Sequence, residues 1–168
     1  MEFEDVIRER FSTRKFSDKK VEQEKIDKIL EAGRLAPTAK NGQPIKMYVV
    51  TSEEGLSKID KVSPCRYGAQ CVMIVCGDEN KSYDKNGHKL YEMDASIVAT
   101  HMMLEATNVG VDNIWVELFD VDMIKEEFNM PEEIIPVCIL PMGYRIEDHG
   151  PCHLHNERKN IEELVEYV

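Results

Sequence analysis

Arginine and hydroxyl side chains are concentrated near the N-terminus, in the stretch RERFSTRKF from Arg8 to Phe16. The stretch holds three arginines, one lysine, one serine and one threonine. Arg10, Ser12 and Arg14 lie two residues apart, and extended backbone turns side chains at that spacing to one side. Two guanidinium groups and a hydroxyl can bind a phosphate through charge-assisted hydrogen bonds. The spacing alone also allows a solvated segment between two helices, because charge clusters usually face solvent.

A stiff, polar loop is predicted over the stretch APTAKNGQP, 36–44, because two prolines frame small and amide side chains. The Thr38 hydroxyl, the side-chain amides of Asn41 and Gln43, and the backbone N–H groups could bind a planar heterocycle. An ordinary connection between a helix and a strand is the alternative. Finding both stretches so close together in the chain favours the ligand-binding interpretation of each.

Several familiar kinds of site are missing from the sequence. It contains no Walker-type phosphate loop, no glycine-rich dinucleotide fingerprint, no paired CxxC motif and no HExxH. The segment CHLH, Cys152 to His155, has zinc's preferred donors and lies close to His149. No second cluster completes four ligands, so no metal site is predicted. His101 is expected to be a hydrogen-bonded core or interface residue.

Composition predicts one globular domain over residues 1–168. Hydrophobic residues make up 42% and charged residues 32% of the chain, as in ordinary soluble proteins. No apolar run is long enough to span a bilayer and the N-terminus is acidic, so we expect a cytoplasmic protein without a membrane partner. The five cysteines are odd in number, which suits reduced, buried thiols better than a disulfide framework.

The charge is strongly acidic but unevenly distributed. A net charge of −11 argues against a nucleic-acid partner, which needs a basic face. Residues 1–46 carry 11 basic and 9 acidic side chains, whereas residues 47–168 carry 10 and 23. A small anionic ligand bound by the first quarter of the chain is compatible with this split, and a long polyanion is not.

Hydrophobic periodicity predicts four helices and four strands. The helices are expected over Glu2–Phe11, Val21–Leu35, Tyr91–Gly110 and Val121–Phe128, and the strands over Lys46–Thr51, Gln70–Gly77, Val111–Val116 and Pro136–Tyr144. The second and fourth strands are almost wholly apolar, which is typical of central strands covered on both faces. The third helix is apolar around most of its circumference, which indicates that a second copy of the chain covers one side. The order of elements predicts a sheet with helices on both faces.

The combined motifs resemble those of the FMN-dependent nitroreductase family. RERFSTRKF resembles the family element R-x-S-x-R-x-F, and EAGRLAPTAKNGQP resembles a helix that closes in A-P-S-x-x-N-x-Q-P. DASIVATHMMLEATNVGVDNIWV and PVCILPMGY resemble the family's long central helix, its glycine-and-tryptophan strand and its strand ending in Gly-Tyr. The resemblance implies an α+β fold, a three-layer α/β/α sandwich with a mixed, mainly antiparallel central sheet. It also implies an intertwined homodimer with the flavin at the interface.

The resemblance also implies roles for individual residues. The phosphate and polar edge of FMN would be held by Arg10, Phe11 through its backbone, Ser12 and Arg14. Pro37, Thr38, Ala39 and Asn41 would come from the other subunit, with Gln43 matching the second amide of that motif. Val116 and Glu117 would pass the flavin with their backbone amides, and Arg158 would return to the phosphate.

Three departures from the family pattern accompany the match. Ile45 stands where an aromatic residue is usual, Val116 and Glu117 stand where a glycine is common, and Leu154 replaces a second tail arginine. Its neighbours His153 and His155 could take over the missing phosphate contact, which would make tail binding sensitive to pH.

The implied activity is that of an FMN-dependent oxidoreductase. NAD(P)H would donate hydride to the flavin, and electrons would pass to a small electron-poor acceptor such as a nitroaromatic or quinone. No catalytic side chain is expected, because the cofactor carries the chemistry. Two alternatives stay open: another flavin reaction on the same scaffold, such as reductive dehalogenation, enone reduction or flavin fragmentation, or a flavin-binding protein without enzymatic activity.

Overall fold

Five α-helices and six strands form the protein in the computed structural model, which describes all 168 residues. The helices are α1 Phe3–Glu9, α2 Gln23–Leu35, α3 Glu53–Val62, α4 Tyr91–Asn108 and α5 Val121–Glu127. The strands are β1 Ile45–Val50, β2 Cys71–Asp78, β3 Asp84–Lys85, β4 His88–Lys89, β5 Asp112–Asn113 and β6 Ile134–Gly143. All eight predicted elements are present.

The main sheet has four strands in the order β1-β2-β6-β5, and every strand pair is antiparallel. The two strands predicted to be central, β2 and β6, are confirmed as central. The predicted strand Val111–Val116 is shorter than expected, because after Asn113 only a bridge from Val116 to Ile139 continues the pairing. Ser12 and Asn113 pair in an isolated parallel bridge, which places the arginine stretch beside β5.

Side chains of β2 alternate between two hydrophobic cores, as the period of two in a strand requires. Met73 and Val75 pack in one core with Ile29 of α2 and Met102 of α4. The other core takes the intervening side chains, Val72, Ile74 and Cys76, together with Ile59 of α3 and Ile124 of α5. Helices α2 and α4 therefore share one core with the sheet, and helices α3 and α5 share the other.

Two elements were not predicted, although the sequence contains their signals. Helix α3 begins after Ser52, whose hydroxyl accepts a hydrogen bond from the Gly55 N–H at 3.1 Å, as N-cap serines do. The hairpin β3–β4 turns at Asn86 and Gly87, a pair that favours the positive φ of a tight turn. It pairs only with itself and lies apart from the main sheet.

Helix α4 buries one side in a single chain, although its apolar sequence predicts burial on nearly every side. Val98, Met102 and Ala106 are buried, whereas Met93 is 59% exposed and His101 is also exposed. His101 therefore does not lie in the core of the single chain. Its predicted position at an interface between two copies of the chain stays a prediction. No helix combines the length and apolar character that crossing a membrane demands.

Three of the five free cysteines should resist alkylation in the folded protein. Burial raises the pKa of Cys71 and Cys76 to about 12 and also raises the pKa of Cys138. The thiolate is the reactive form, so at about pH 8 we expect alkylation at exposed Cys152 and half-buried Cys65. Mass spectrometry of alkylated peptides, with and without denaturant, measures this. Modification of the three buried thiols before unfolding would contradict it.

Candidate functional site

The arginine stretch leaves helical geometry where α1 ends. Arg10 is the C-cap of α1 with an extended backbone (φ −62°, ψ 119°), so the helix ends two residues before the predicted Phe11. The Thr13 N–H donates to the Asn113 carbonyl at 3.1 Å. Phe11, Thr13 and Phe16 are buried, which leaves Ser12 partly exposed and Arg14 exposed. The stretch is therefore anchored by Phe11, Thr13 and Phe16, while the side chains of Ser12 and Arg14 stay accessible.

A cavity of about 230 Å³ lies between this stretch and the tail of the chain. Its lining residues are Arg10, Phe11, Ser12, Arg14, Cys152, Leu154, His155 and Arg158. The structure thus brings together five residues that the family resemblance assigned to the phosphate end of the site or to its tail wall. Arg8 does not line the cavity.

The tail is held over the cavity by contacts that sequence reasoning missed. The ring Nε2 of His149 accepts a hydrogen bond from the Arg14 N–H at 3.0 Å. The Nε2–H of His155 donates to the Arg8 carbonyl at 3.2 Å. Both imidazole rings lie close to the Phe11 ring, with centroid distances of 6.3 and 6.1 Å. These histidines therefore contact the backbone of the arginine stretch and its Phe11 ring. Their positions in the sequence do not indicate these contacts.

The arginines of the cavity lack carboxylate partners. Arg14 donates to the Ser12 carbonyl at 3.3 Å, and Arg158 donates to the Glu157 carbonyl at 2.7 Å. Burial and the neighbouring positive charge of Arg158 lower the pKa of Arg10. Elsewhere in the chain arginines do form ion pairs, namely Arg34 with Glu31, Arg66 with Asp60 and Arg145 with Asp112. The cavity therefore gathers positive charge that the protein itself does not neutralise.

The second predicted stretch forms a tight, strained loop after α2. Helix α2 ends at Leu35 before Pro37, as predicted, and a 3-10 turn follows over Ala39–Asn41. Within the loop the Gln43 N–H donates to the Thr38 hydroxyl at 3.0 Å. From outside the loop, the carboxylate of Asp94 accepts the Ala39 N–H at 2.8 Å. The side chains of Asn41 and Gln43 remain exposed.

This loop borders a different cavity, of about 160 Å³. Thr38, Gln43 and Ile45 are among its lining residues, and it shares no lining residue with the arginine cavity. Ile45, which stands where the family usually has an aromatic residue, lines this cavity beside Met47 and Val98. Within one chain, the two predicted halves of the site therefore remain separate.

The segment after Trp115 is only partly available to a ligand. The Val116 N–H donates to the Ile139 carbonyl at 3.0 Å, so this amide is used within the sheet. The Glu117 N–H has no acceptor in the chain, and the Glu117 carboxylate accepts the Trp115 indole N–H at 2.8 Å. Of the two backbone amides predicted to meet a flavin, only that of Glu117 is free to do so.

Comparison with known proteins identifies relatives across nearly the whole chain. A sequence model of the nitroreductase family matches residues 7–66 and 63–144. A Methanothermobacter thermautotrophicus protein, named as a proposed NADH dehydrogenase/NAD(P)H nitroreductase, is 32% identical over 173 residues, which covers 94% of this chain and 88% of the relative.

Solved structures show the same similarity. A nitroreductase family protein from Clostridium difficile 630 is 38% identical, with a TM-score of 0.92 over 99% of this chain and 98% of that one. A proposed nitroreductase from Exiguobacterium sibiricum 255-15, solved in complex with FMN, shares the fold at 21% identity, with a TM-score of 0.88 over 100% and 98% of the two chains. The family motifs, the match of the sequence model and these relatives lead to one conclusion: the chain belongs to the nitroreductase family.

Proposed function

We propose that the protein is an FMN-dependent oxidoreductase that takes hydride from NAD(P)H and passes electrons to a small electron-poor acceptor such as a nitroaromatic or quinone. The observation that carries this proposal is the cavity in which Arg10, Arg14 and Arg158 converge without a carboxylate partner. Related proteins carry NAD(P)H nitroreductase and FMN reductase names, and one was solved with FMN bound.

The cavity fits the phosphate end of FMN. A partly buried guanidinium next to another cation is unfavourable unless an anion accompanies it, and the lowered pKa of Arg10 reflects that environment. A phosphate would accept charge-assisted hydrogen bonds from Arg10 and Arg158 and a further one from the Ser12 hydroxyl. The donor set therefore suits a phosphate better than a neutral ligand.

The chain's own residues bind and orient rather than react. The chemistry that FMN supplies when bound is acceptance of hydride from NAD(P)H and transfer of electrons to the acceptor. Arg14 would place a fixed positive charge beside the polar edge of the ring system, where negative charge develops. The free Glu117 N–H would offer a hydrogen bond to the ring.

A homodimer would unite the two halves of the site. In one chain the arginine cavity and the loop Pro37–Gln43 line separate spaces, so the loop would complete the site of the other subunit. Large apolar side chains that are exposed in one chain, such as Phe3 at 66% and Met93 at 59%, would then be covered. We propose this intertwined dimer of three-layer sandwiches, each a single domain, in the cytoplasm.

Arg10→Ala should weaken FMN binding about 30- to 1,000-fold, because a buried phosphate loses a charged partner. Arg8→Ala is the matched control, since it removes the same charge from α1 outside the cavity, and its affinity should stay within about threefold of wild type. Fluorescence titration of the apoprotein with FMN measures both. Equal losses in the two variants would contradict this assignment of the arginines, and a wild-type protein that takes up no FMN would refute the proposal.

Mixed dimers test whether the site is shared. Arg10→Ala and Asn41→Ala homodimers each have two damaged sites. A heterodimer of the two variants has one doubly damaged and one intact site if loop and arginines come from different chains. Co-expression with two purification tags should therefore restore high-affinity FMN binding to about half of the wild-type stoichiometry, as one intact site of two requires. If both parts of the site belong to one chain, the heterodimer recovers no binding.

The holoprotein should lose its visible flavin absorbance when NADH or NADPH is added anaerobically, and regain it when a nitroaromatic or quinone follows. Stopped-flow absorbance measures both phases. A panel that includes halogenated and enone acceptors separates nitroreductase activity from another flavin reaction on the same scaffold. No change with either nucleotide would favour a flavin-binding protein without this activity.

A further inference from the structure

We propose that Asp94 is a positioning residue whose carboxylate holds the loop Pro37–Gln43 in the backbone conformation that meets the cofactor. This inference rests on the proposed function, because the loop's contact with FMN is part of that proposal. Asp94 lies in the first turn of α4 and is 3% exposed. None of the roles proposed above uses it.

The Asp94 carboxylate accepts a hydrogen bond from the loop through one oxygen only. Its Oδ1 accepts the Ala39 N–H at 2.8 Å, across 55 residues of sequence. Its Oδ2 is buried and has no hydrogen-bond partner in the chain. A buried carboxylate with an unpartnered oxygen is unfavourable for folding, so its presence indicates a requirement other than stability. Because the carboxylate contacts the Ala39 N–H, we infer that this requirement is the placement of Ala39.

The loop needs such a support because its backbone is strained. Lys40, Asn41 and Gln43 have positive φ values of 53°, 55° and 50°. Asparagine tolerates this region, but lysine and glutamine rarely adopt it. Strained residues of this kind persist where the surrounding structure holds them, and they cluster at ligand sites.

Contacts within the loop do not fix it relative to the rest of the chain. The bonds from Gln43 to Thr38 and to the Asn41 carbonyl close the loop on itself. The Lys40 ammonium lies 4.2 Å from the centre of the Tyr83 ring, an exposed contact with the separate hairpin. The bond from Ala39 to Asp94, by contrast, joins the interior of the loop to helix α4. After the loop, the Pro44 carbonyl accepts the Asp78 N–H at 2.7 Å, which fixes that end against β2. Asp94 is therefore the side chain that sets where the loop backbone and the Asn41 amide lie.

Three variants test this role through FMN affinity and the visible circular dichroism of bound flavin. Asp94→Ala removes the acceptor, Asp94→Asn keeps a carbonyl oxygen for the Ala39 N–H, and Ser52→Ala is the matched control. The Ser52 side chain likewise accepts a backbone N–H, that of Gly55 at 3.1 Å, but it lies at the start of α3, beyond the end of β1 that is far from the loop. Thermal melts of the apoproteins report the purely structural cost of each change.

We expect Asp94→Ala to weaken FMN binding about 10- to 100-fold and to alter the flavin band shape, because the loop loses its support. Asp94→Asn should bind within about threefold of wild type, and Ser52→Ala, which loses the N-cap of α3, should lower the melting temperature without changing affinity. Wild-type affinity in Asp94→Ala would overturn this inference and leave the proposed function intact. A wild-type protein that binds no FMN would overturn both.

Amide hydrogen exchange of the wild-type protein provides a test that does not depend on the folding of a variant. The Ala39 N–H should be strongly protected, while the Lys40 N–H, which has no acceptor in the chain, should exchange quickly. Exchange of Ala39 at the rate of an unstructured amide would show that Asp94 does not hold the loop, and would overturn the inference.

Discussion

The hydrogen bond from the Thr13 N–H to the Asn113 carbonyl couples the arginine stretch to the main sheet. Two further backbone bonds, from the Phe16 N–H to the Tyr67 carbonyl and from the Ser17 N–H to the Tyr144 carbonyl, hold the end of the stretch. In this position Phe11 and Phe16 are buried and Arg10, Ser12 and Arg14 line a cavity. These backbone contacts thus determine where unpaired positive charge accumulates, and the tail packs against the surface so formed.

Two kinds of unfavourable energy occur in the parts of the molecule assigned to the cofactor. Arg10 and Arg158 repel each other in a partly buried cavity, and Lys40 and Gln43 hold a strained backbone. The main sheet is antiparallel throughout, and its side chains enter two hydrophobic cores. Unfavourable terms of these two kinds are common at ligand-binding sites, and positive φ values also occur elsewhere in the chain, at Tyr67, Asn86 and Asn129.

Local pattern predicted the sheet and most helices, because β2 and β6 are almost wholly apolar and Pro37 follows the end of α2 at Leu35. Helix α3 was missed despite its Ser52 cap and its apolar spacing, since the segment is short and rich in charge. Family motifs predicted that Arg158 returns to the arginine stretch. No local pattern could reveal that His149 bonds to Arg14, or Asp94 to Ala39, because both contacts depend on how distant segments pack.

The tail forms one wall of a cavity whose positive charges repel one another. Any anion that enters relieves this repulsion and strengthens the attachment of residues 149–158, so occupancy and closure of the wall are thermodynamically linked. The fraction of molecules with a docked tail then reports the fraction that has an anion bound in the cavity. Limited proteolysis within this segment would distinguish anion-bound from empty molecules in a mixed population, without any measurement of flavin absorbance.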